Sequence, residues 1–203
     1  MARTKAPDFE AQREQILDLA AAAFAATSYP STSMADLAAA CGTSKARLYH
    51  YYESKEAILF DLLDRYTRQL MQIVTEVERD GERQGRSHRE TFGHLLRAFL
   101  AEYETSQTRH IALINDVKFL AEEQRDQILK RERDVVAAFS RLLRLAFPER
   151  VTGENQTALT MTVFGMINWT FTWLKPGGKL SYAQFAEMVV GLLENGLVPA
   201  VPR

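Results

Sequence analysis

The chain has little from which to build a covalent or metallic scaffold. Of its 203 residues one is a cysteine, Cys41, so no intramolecular disulfide is available and the usage fits a reducing cytoplasm. Cys41 itself reads most simply as a small buried residue at a helix end. The four histidines (His50, His88, His94, His110) lack metal-ligand spacing. Glu90 and His94 stand at i, i+4 and would share a helix face, but nothing nominates further ligands, and a solvated pair is the simpler reading. No convergent set of nucleophile, base and acid is present, so neither a catalytic residue nor a cofactor is expected. Six Pro and ten Gly are few for this length, and most fall between periodic segments, which favours an all-α chain. No uncharged apolar run reaches membrane-spanning length; the longest, 156–174, is interrupted by Gln156, Asn168 and several Thr. Met1-Ala2-Arg3-Thr4-Lys5 leads into a charged helix and not an apolar segment, so no signal peptide is expected and the location is read as cytoplasmic.

An excess of positive charge is also missing. The net charge is −1, and residues 1–65 hold seven Lys/Arg against nine Asp/Glu. Placement matters more than the total: from Leu37 to Tyr52 there is no carboxylate, only Lys45 and Arg47. That stretch also has the strongest local pattern. A helix over 33–41 is capped by Ser33 with Asp36 three residues on, and Ala38 and Ala39 permit a close crossing. Gly42 supplies a left-handed turn, and Thr43 and Ser44 are candidate N-caps of a second short helix. Ser44 and Lys45 lie at that helix's N-terminus, where free N–H groups and the dipole favour a phosphate. Leu48 is its inward residue, and Lys45, Arg47, Tyr49 and Tyr51 are left on its other positions. Two short helices joined by a glycine turn form the helix-turn-helix pattern.

The remaining chain reads as further helices, about nine in all: 8–26, the two just described, 54–79, 88–104, a short one at 111–117, 121–147, 154–174 and 181–197. The helix from Ser54 is long, on the order of 25 residues or roughly 37 Å. Asp80 to Ser87, with Gly81 and Gly85, reads as the break that ends it. The segment 154–174 is apolar on most faces and is expected to be buried on most of them. Ser181-Tyr182-Ala183-Gln184 is a capping box. Arg3 and Lys5 precede the first helix as a short basic arm, either a loose terminus or a minor-groove or phosphate contact.

The spacing of Leu37-Ala38, Gly42, Leu48-Tyr49 and Ser54-Lys55 resembles the DNA-binding head of the tetracycline-repressor (TetR) family, and the motif is followed through Leu59. The resemblance implies an all-α protein with a DNA-binding helix-turn-helix domain over 1–53 and a ligand-binding and dimerisation domain over 54–203. In this motif Arg47 can read guanine O6/N7 and Lys45 a phosphate or guanine. Thr43, Ser44 and Ala46 belong to the same face, and Tyr49 and Tyr51 are implied to touch backbone or thymine methyls. Lys55 is implied to hold a phosphate, and Thr32 or Ser33 another. His50 has two readings, a contact or an exposed residue with no role. The partner so implied is double-stranded, pseudo-palindromic operator DNA.

The resemblance also implies a small-molecule cavity between the middle helices. Aromatic and soft residues Phe92, Phe99, Tyr103, Phe119, Phe139, Met166, Trp169 and Trp173 have a core reading and a pocket reading; Asn168, Thr172, Tyr103 and Asn115 are the polar groups expected to fix a ligand. The segment Asn168 to Gly178 is similar to one in regulators of fatty-acid and sterol breakdown, whose ligands are often acyl-CoA thioesters. Thr172 stands where those relatives often carry Arg, so no CoA-phosphate contact is expected from that position. Two helical faces lack a partner within so short a chain. A homodimer through the last two helices, with Thr162, Gly165, Met188, Gly191 and Leu192 at the contact, supplies one. The expected activity is a ligand-responsive repressor. The competing readings are a carboxylate-rich bundle enzyme or metal protein, and a ligand-independent DNA-binding dimer.

Overall fold

The computed structural model describes residues 5–196, with side chains from Phe9 onward. Arg3 of the expected basic arm and Leu197 of the last expected helix lie outside what is described, whereas Lys5 is the first residue of a helix. The described residues hold no strand and form ten α-helices and one 3-10 turn. α1 (Lys5–Thr27) starts three residues before the expected 8–26, because Pro7 falls in its first turn, where a missing N–H costs nothing. α2 (Met34–Ala40) and α3 (Lys45–Tyr51) follow.

Ser33 Oγ accepts from Asp36 N at 3.2 Å and the Asp36 carboxylate accepts from Ser33 N at 2.8 Å, the capping box expected from the sequence. Gly42 takes φ +60 between α2 and α3, and Ser44 Oγ caps α3 by accepting from Arg47 N at 3.2 Å. α4 (Lys55–Gln84) runs 30 residues, about 45 Å at 1.5 Å per residue. It does not break at Gly81. A Cβ on Gly81 would stand 2.6 Å from Thr91 Oγ1, so this glycine serves a close helix–helix approach, and the left-handed turn falls at Gly85.

α5 (His88–Thr105) opens with a second capping box, in which Glu90 accepts from Ser87 N at 2.8 Å. That occupies the carboxylate the sequence had paired with His94. α6 (Gln107–Asp116), a 3-10 turn (Val117–Phe119), α7 (Glu122–Ala146), α8 (Gln156–Asn168), α9 (Thr170–Trp173) and α10 (Tyr182–Gly196) complete the chain. The single helix expected over 154–174 breaks at Trp169. Thr170 Oγ1 donates to Ile167 O at 2.8 Å and Thr172 Oγ1 to Trp169 O at 2.7 Å, so side-chain hydroxyls compete for carbonyls within a run of aromatic and β-branched residues that favour helix weakly. The capping box at Ser181 and Gln184 is present, with bonds of 2.9 and 3.1 Å.

The chain divides into two compact units. One takes residues up to Thr67 with Thr108–Leu129; the other takes Arg68–Gln107 with residues from Lys130 on. The first unit thus includes α6 and the start of α7 beside α1–α3, and residue 53 falls inside it. Its core is Leu17, Ala20, Phe24, Leu37, Leu48, Ile58, Leu59 and Leu62. In the second unit α10 packs along α5, and Phe92, Phe99, Phe139, Phe147 and Phe164 interlock through ring contacts of 4.7–6.3 Å.

Candidate nucleic-acid interface and effector region

α3 is short, and one residue anchors it: Leu48 is fully buried, while Lys45, Ala46, Arg47, Tyr49 and His50 are exposed around it. Lys45 Nζ lies 5.8 Å from the Tyr49 ring centroid, one turn away. Tyr51 is half-buried because Phe9 of α1 stacks on it at 4.9 Å; Phe9 also meets His50 edge-on at 6.3 Å. Phe9 is among the exposed large apolar residues and supports the end of α3. Thr43 is half-buried before the cap at Ser44.

Two of the expected phosphate contacts are otherwise engaged. Thr32 is buried and its hydroxyl donates to Ser28 O at 2.8 Å. The Lys55 ammonium donates to Tyr29 O and Thr32 O at 2.7 Å each and to Pro30 O at 3.4 Å, and it lies 4.3 Å from the Tyr29 ring centroid. Its three donors face the carbonyls of the turn between α1 and α2, so here Lys55 holds that turn. Ser33 stays exposed at the start of α2.

Beneath this face, Tyr52 caps α3 and its hydroxyl donates to Asp61 at 2.6 Å, where Arg13 also donates at 2.7 Å. Burial pushes the Asp61 carboxyl up, but the hydrogen bonds from Tyr52 and Arg65 outweigh it and the net value is lowered. Asp116 behaves oppositely. It is 6% exposed, and burial raises it to about 6 against the pull of Lys118 and Lys55. An acid whose folded value exceeds its ordinary 3.8 stabilises the fold fully below that value and loses the contribution as pH rises through about 6. Asp116→Asn is therefore expected to raise the melting temperature at pH 8 and to flatten the fall between pH 4 and 6. Thermal melts across that range check it.

The residues expected to line a ligand cavity fall into four groups. Phe92, Phe99 and Phe139 are interlocked core. Tyr103 and Asn168 are brought together, the phenol donating to Asn168 Oδ1 at 3.0 Å, with Met166 half-buried nearby in sequence. Asn115 and Phe119 belong to the other unit, where Phe119 stacks on Tyr29 at 5.2 Å. Trp169 and Trp173 are not enclosed. They are 59% and 50% exposed, and with Met161 (54%) and Gly165 they recur every fourth residue along one open face, which Thr162 and Thr172 flank. On α10, Met188 (59%) and Leu192 (58%) form a second open apolar stripe beside Gly191. Among the described residues, and beyond each glycine's chain neighbours and adjoining helix backbone, no atom lies within 4 Å of a Cβ built on Gly165 or Gly191.

Sequence reading missed Glu132. It lies in the polar first half of α7, yet Ile128, Glu132, Val135 and Phe139 share one helical stripe, and that spacing was the available signal. Burial lifts its carboxyl to about 7, and its charge in turn raises the buried Tyr103 phenol, after burial itself. The second unit also has an open groove of about 500 Å³ along α4 and α5. Ile73, Val77, Ala98 and Ala101 give it apolar lining, and Arg86, His94 and Arg97 gather among its charged residues with Glu76 and Asp80. Burial and then the two arginines lower the His94 imidazole. Arg97 is shared with Glu187 at 2.6 and 2.9 Å. Among the described residues no group of His, Cys, Asp or Glu could hold a metal, and no helix is long and apolar enough to cross a membrane.

An exposed recognition-type helix on a capped helix-turn-helix, joined to a larger helical unit, defines a DNA-binding regulator. The family model for bacterial regulatory proteins of the tetR family matches residues 16–62, and that for the tetracyclin repressor-like C-terminal domain matches 85–197. A TetR-family transcriptional regulator from Bordetella parapertussis is 35% identical over 94% of this chain and 98% of its own, with a TM-score of 0.83. AibR, solved with isovaleryl coenzyme A and operator DNA, is 25% identical over 89% of this chain and 97% of its own, with a TM-score of 0.76. The transcriptional repressor KstR2 of Mycolicibacterium smegmatis is 25% identical over 95% of both chains. The chain belongs to the TetR family of bacterial transcriptional regulators.

Proposed function

We propose that this protein is a cytoplasmic repressor that binds a pseudo-palindromic operator as a homodimer and is released by an apolar or acyl-CoA-like effector. The observation that carries the DNA reading is the outer face of α3, with Lys45, Arg47 and Tyr49 exposed and no carboxylate from Leu37 to Tyr52. On it, Arg47 reads a guanine, and Lys45, Ser44 and Tyr51, with Ser33 at the start of α2, position the backbone. The open stripes of α8 to α10 support an isologous dimer, since contiguous apolar faces on a small chain mark an interaction surface. What AibR binds favours a CoA thioester as effector class. The cations along the α4–α5 groove and the part-buried Tyr103–Asn168 pair are the groups assigned to its polar parts.

The effector acts on the DNA-binding face through α4, which runs through both units, by binding one head position more tightly than another. Sequencing genomic fragments retained by the protein supplies the operator. Isovaleryl-CoA, longer acyl-CoAs and free CoA are then titrated by calorimetry with and without that operator. A hundredfold loss of operator affinity requires coupling of roughly 2.7 kcal/mol, and reciprocity demands that operator weaken effector binding by the same factor. Equal affinity in both titrations sinks the induction mechanism for that compound.

A further inference from the structure

α6 brings the chain back into the unit that carries α1–α3. The boundary falls between Gln107 and Thr108, and Arg109 is the second residue across it. Its side chain is 12% exposed, and it faces two carboxylates one turn apart on α1. Arg109 Nη2 donates to Glu14 Oε2 at 2.9 Å and to Asp18 Oδ1 at 2.7 Å, and Nε donates to Asp18 Oδ1 at 3.1 Å. The other Glu14 oxygen accepts from Arg65 Nη1 of α4 at 2.6 Å. Arg65 Nε donates to Asp61 at 2.9 Å, and Asp61 accepts from the hydroxyl of Tyr52, the residue that caps α3, at 2.6 Å. A continuous line of charge-assisted bonds therefore runs Arg109–Glu14–Arg65–Asp61–Tyr52, from α6 through α1 and α4 to the end of the recognition helix.

Ion pairs near a surface add little stability, because screening and side-chain entropy offset the Coulomb gain. Direction is what they fix. A guanidinium fork holds its carboxylates in a defined plane, and a carboxylate shared between two arginines ties the helices carrying them at one angle. Burial raises the Glu14 carboxyl, and the bonds from Arg109 and Arg65 reverse this to a net lowering, so Glu14 is ionised at neutral pH and the line is intact there.

We infer that Arg109 is a positioning residue that sets, through the Glu14 carboxylate shared with Arg65, where α3 stands for DNA binding. The inference rests on the paired-head reading above, because a fixed head position shows itself as a fixed distance between half-sites. The test uses the full-length protein and its selected operator, together with versions lengthened or shortened by one or two base pairs between half-sites. Wild type is expected to lose about tenfold or more in affinity at each altered spacing. Arg109→Met, which keeps the packing stem, is expected to bind all spacings within about threefold of one another. Arg109→Lys restores part of the selectivity, and Glu14→Gln, which keeps both arginines, relaxes it as Arg109→Met does. Melting temperatures are measured in parallel. If Arg109→Met melts lower but keeps the wild-type spacing profile, the residue is merely structural and the inference is overturned. If wild type is itself indifferent to spacing, the paired-head reading fails and takes this inference with it.

Discussion

Leu192→Glu is expected to give a folded monomer whose operator affinity falls about a hundredfold or more, because one head is left without the second half-site. Leu192 is 58% exposed in the single chain, so the glutamate is hydrated there and the unit keeps its fold. In the dimer the same carboxylate would be buried against apolar side chains with no partner, which costs several kcal/mol. Gly165→Glu makes the same point on the other stripe, since among the described residues nothing beyond the adjoining helix backbone lies within 4 Å of a Cβ at that position. Sedimentation reads the oligomeric state and a mobility shift reads the operator. A Leu192→Glu protein that remains dimeric moves the interface elsewhere. The tryptophans give an independent signal: Trp169 and Trp173 lie on or beside the α8–α9 stripe, so their emission shifts on dissociation.

The head was legible because its signals are local. Ser33 with Asp36, Gly42 and Ser44 each act within four residues, as does Ser181 with Gln184 at the start of α10 in the other unit, and all do in the structure what their spacing implies. Partners distant in sequence were not legible. A motif specifies a lysine at 55 but not that its donors meet carbonyls more than twenty residues earlier. The same holds for Arg109, whose carboxylates lie more than ninety residues away on α1. Gly81 shows a second limit. Glycine in a polar stretch reads as a turn, and only the 2.6 Å approach of Thr91 reveals that it is needed for packing within a helix.

The effector region was the least legible part. Aromatic spacing marks an inward face without telling a filled core from a cavity wall. Phe92, Phe99 and Phe139 fill space with one another, whereas Trp169 and Trp173 face outward on a segment whose composition reads as buried throughout. A chain apolar on all faces and one with a face reserved for a second copy have the same composition. Only the exposed positions recurring every fourth residue from Met161 to Trp173 separate them.

Arg47→Ala is expected to weaken operator binding by about 1–3 kcal/mol and to relax base preference at one position in each half-site. Arg47 is exposed on α3, one residue before the buried Leu48 anchor, and among the described residues no ion pair or side-chain hydrogen bond ties its guanidinium. Its backbone N–H is the group that Ser44 caps, so the helix start fixes the base of the side chain while the fork stays available for guanine O6 and N7. Truncation leaves that cap and Leu48 in place, so the melting temperature should hold. Lys45→Ala is the contrast. Its ammonium lies over the Tyr49 ring and acts as a point charge, so its loss should weaken all sequences about equally and reduce the salt slope by about one. Affinities for a set of singly substituted operators, measured at two salt concentrations, separate the two behaviours. If Arg47→Ala ranks every operator variant as wild type does, base readout belongs to another residue on α3.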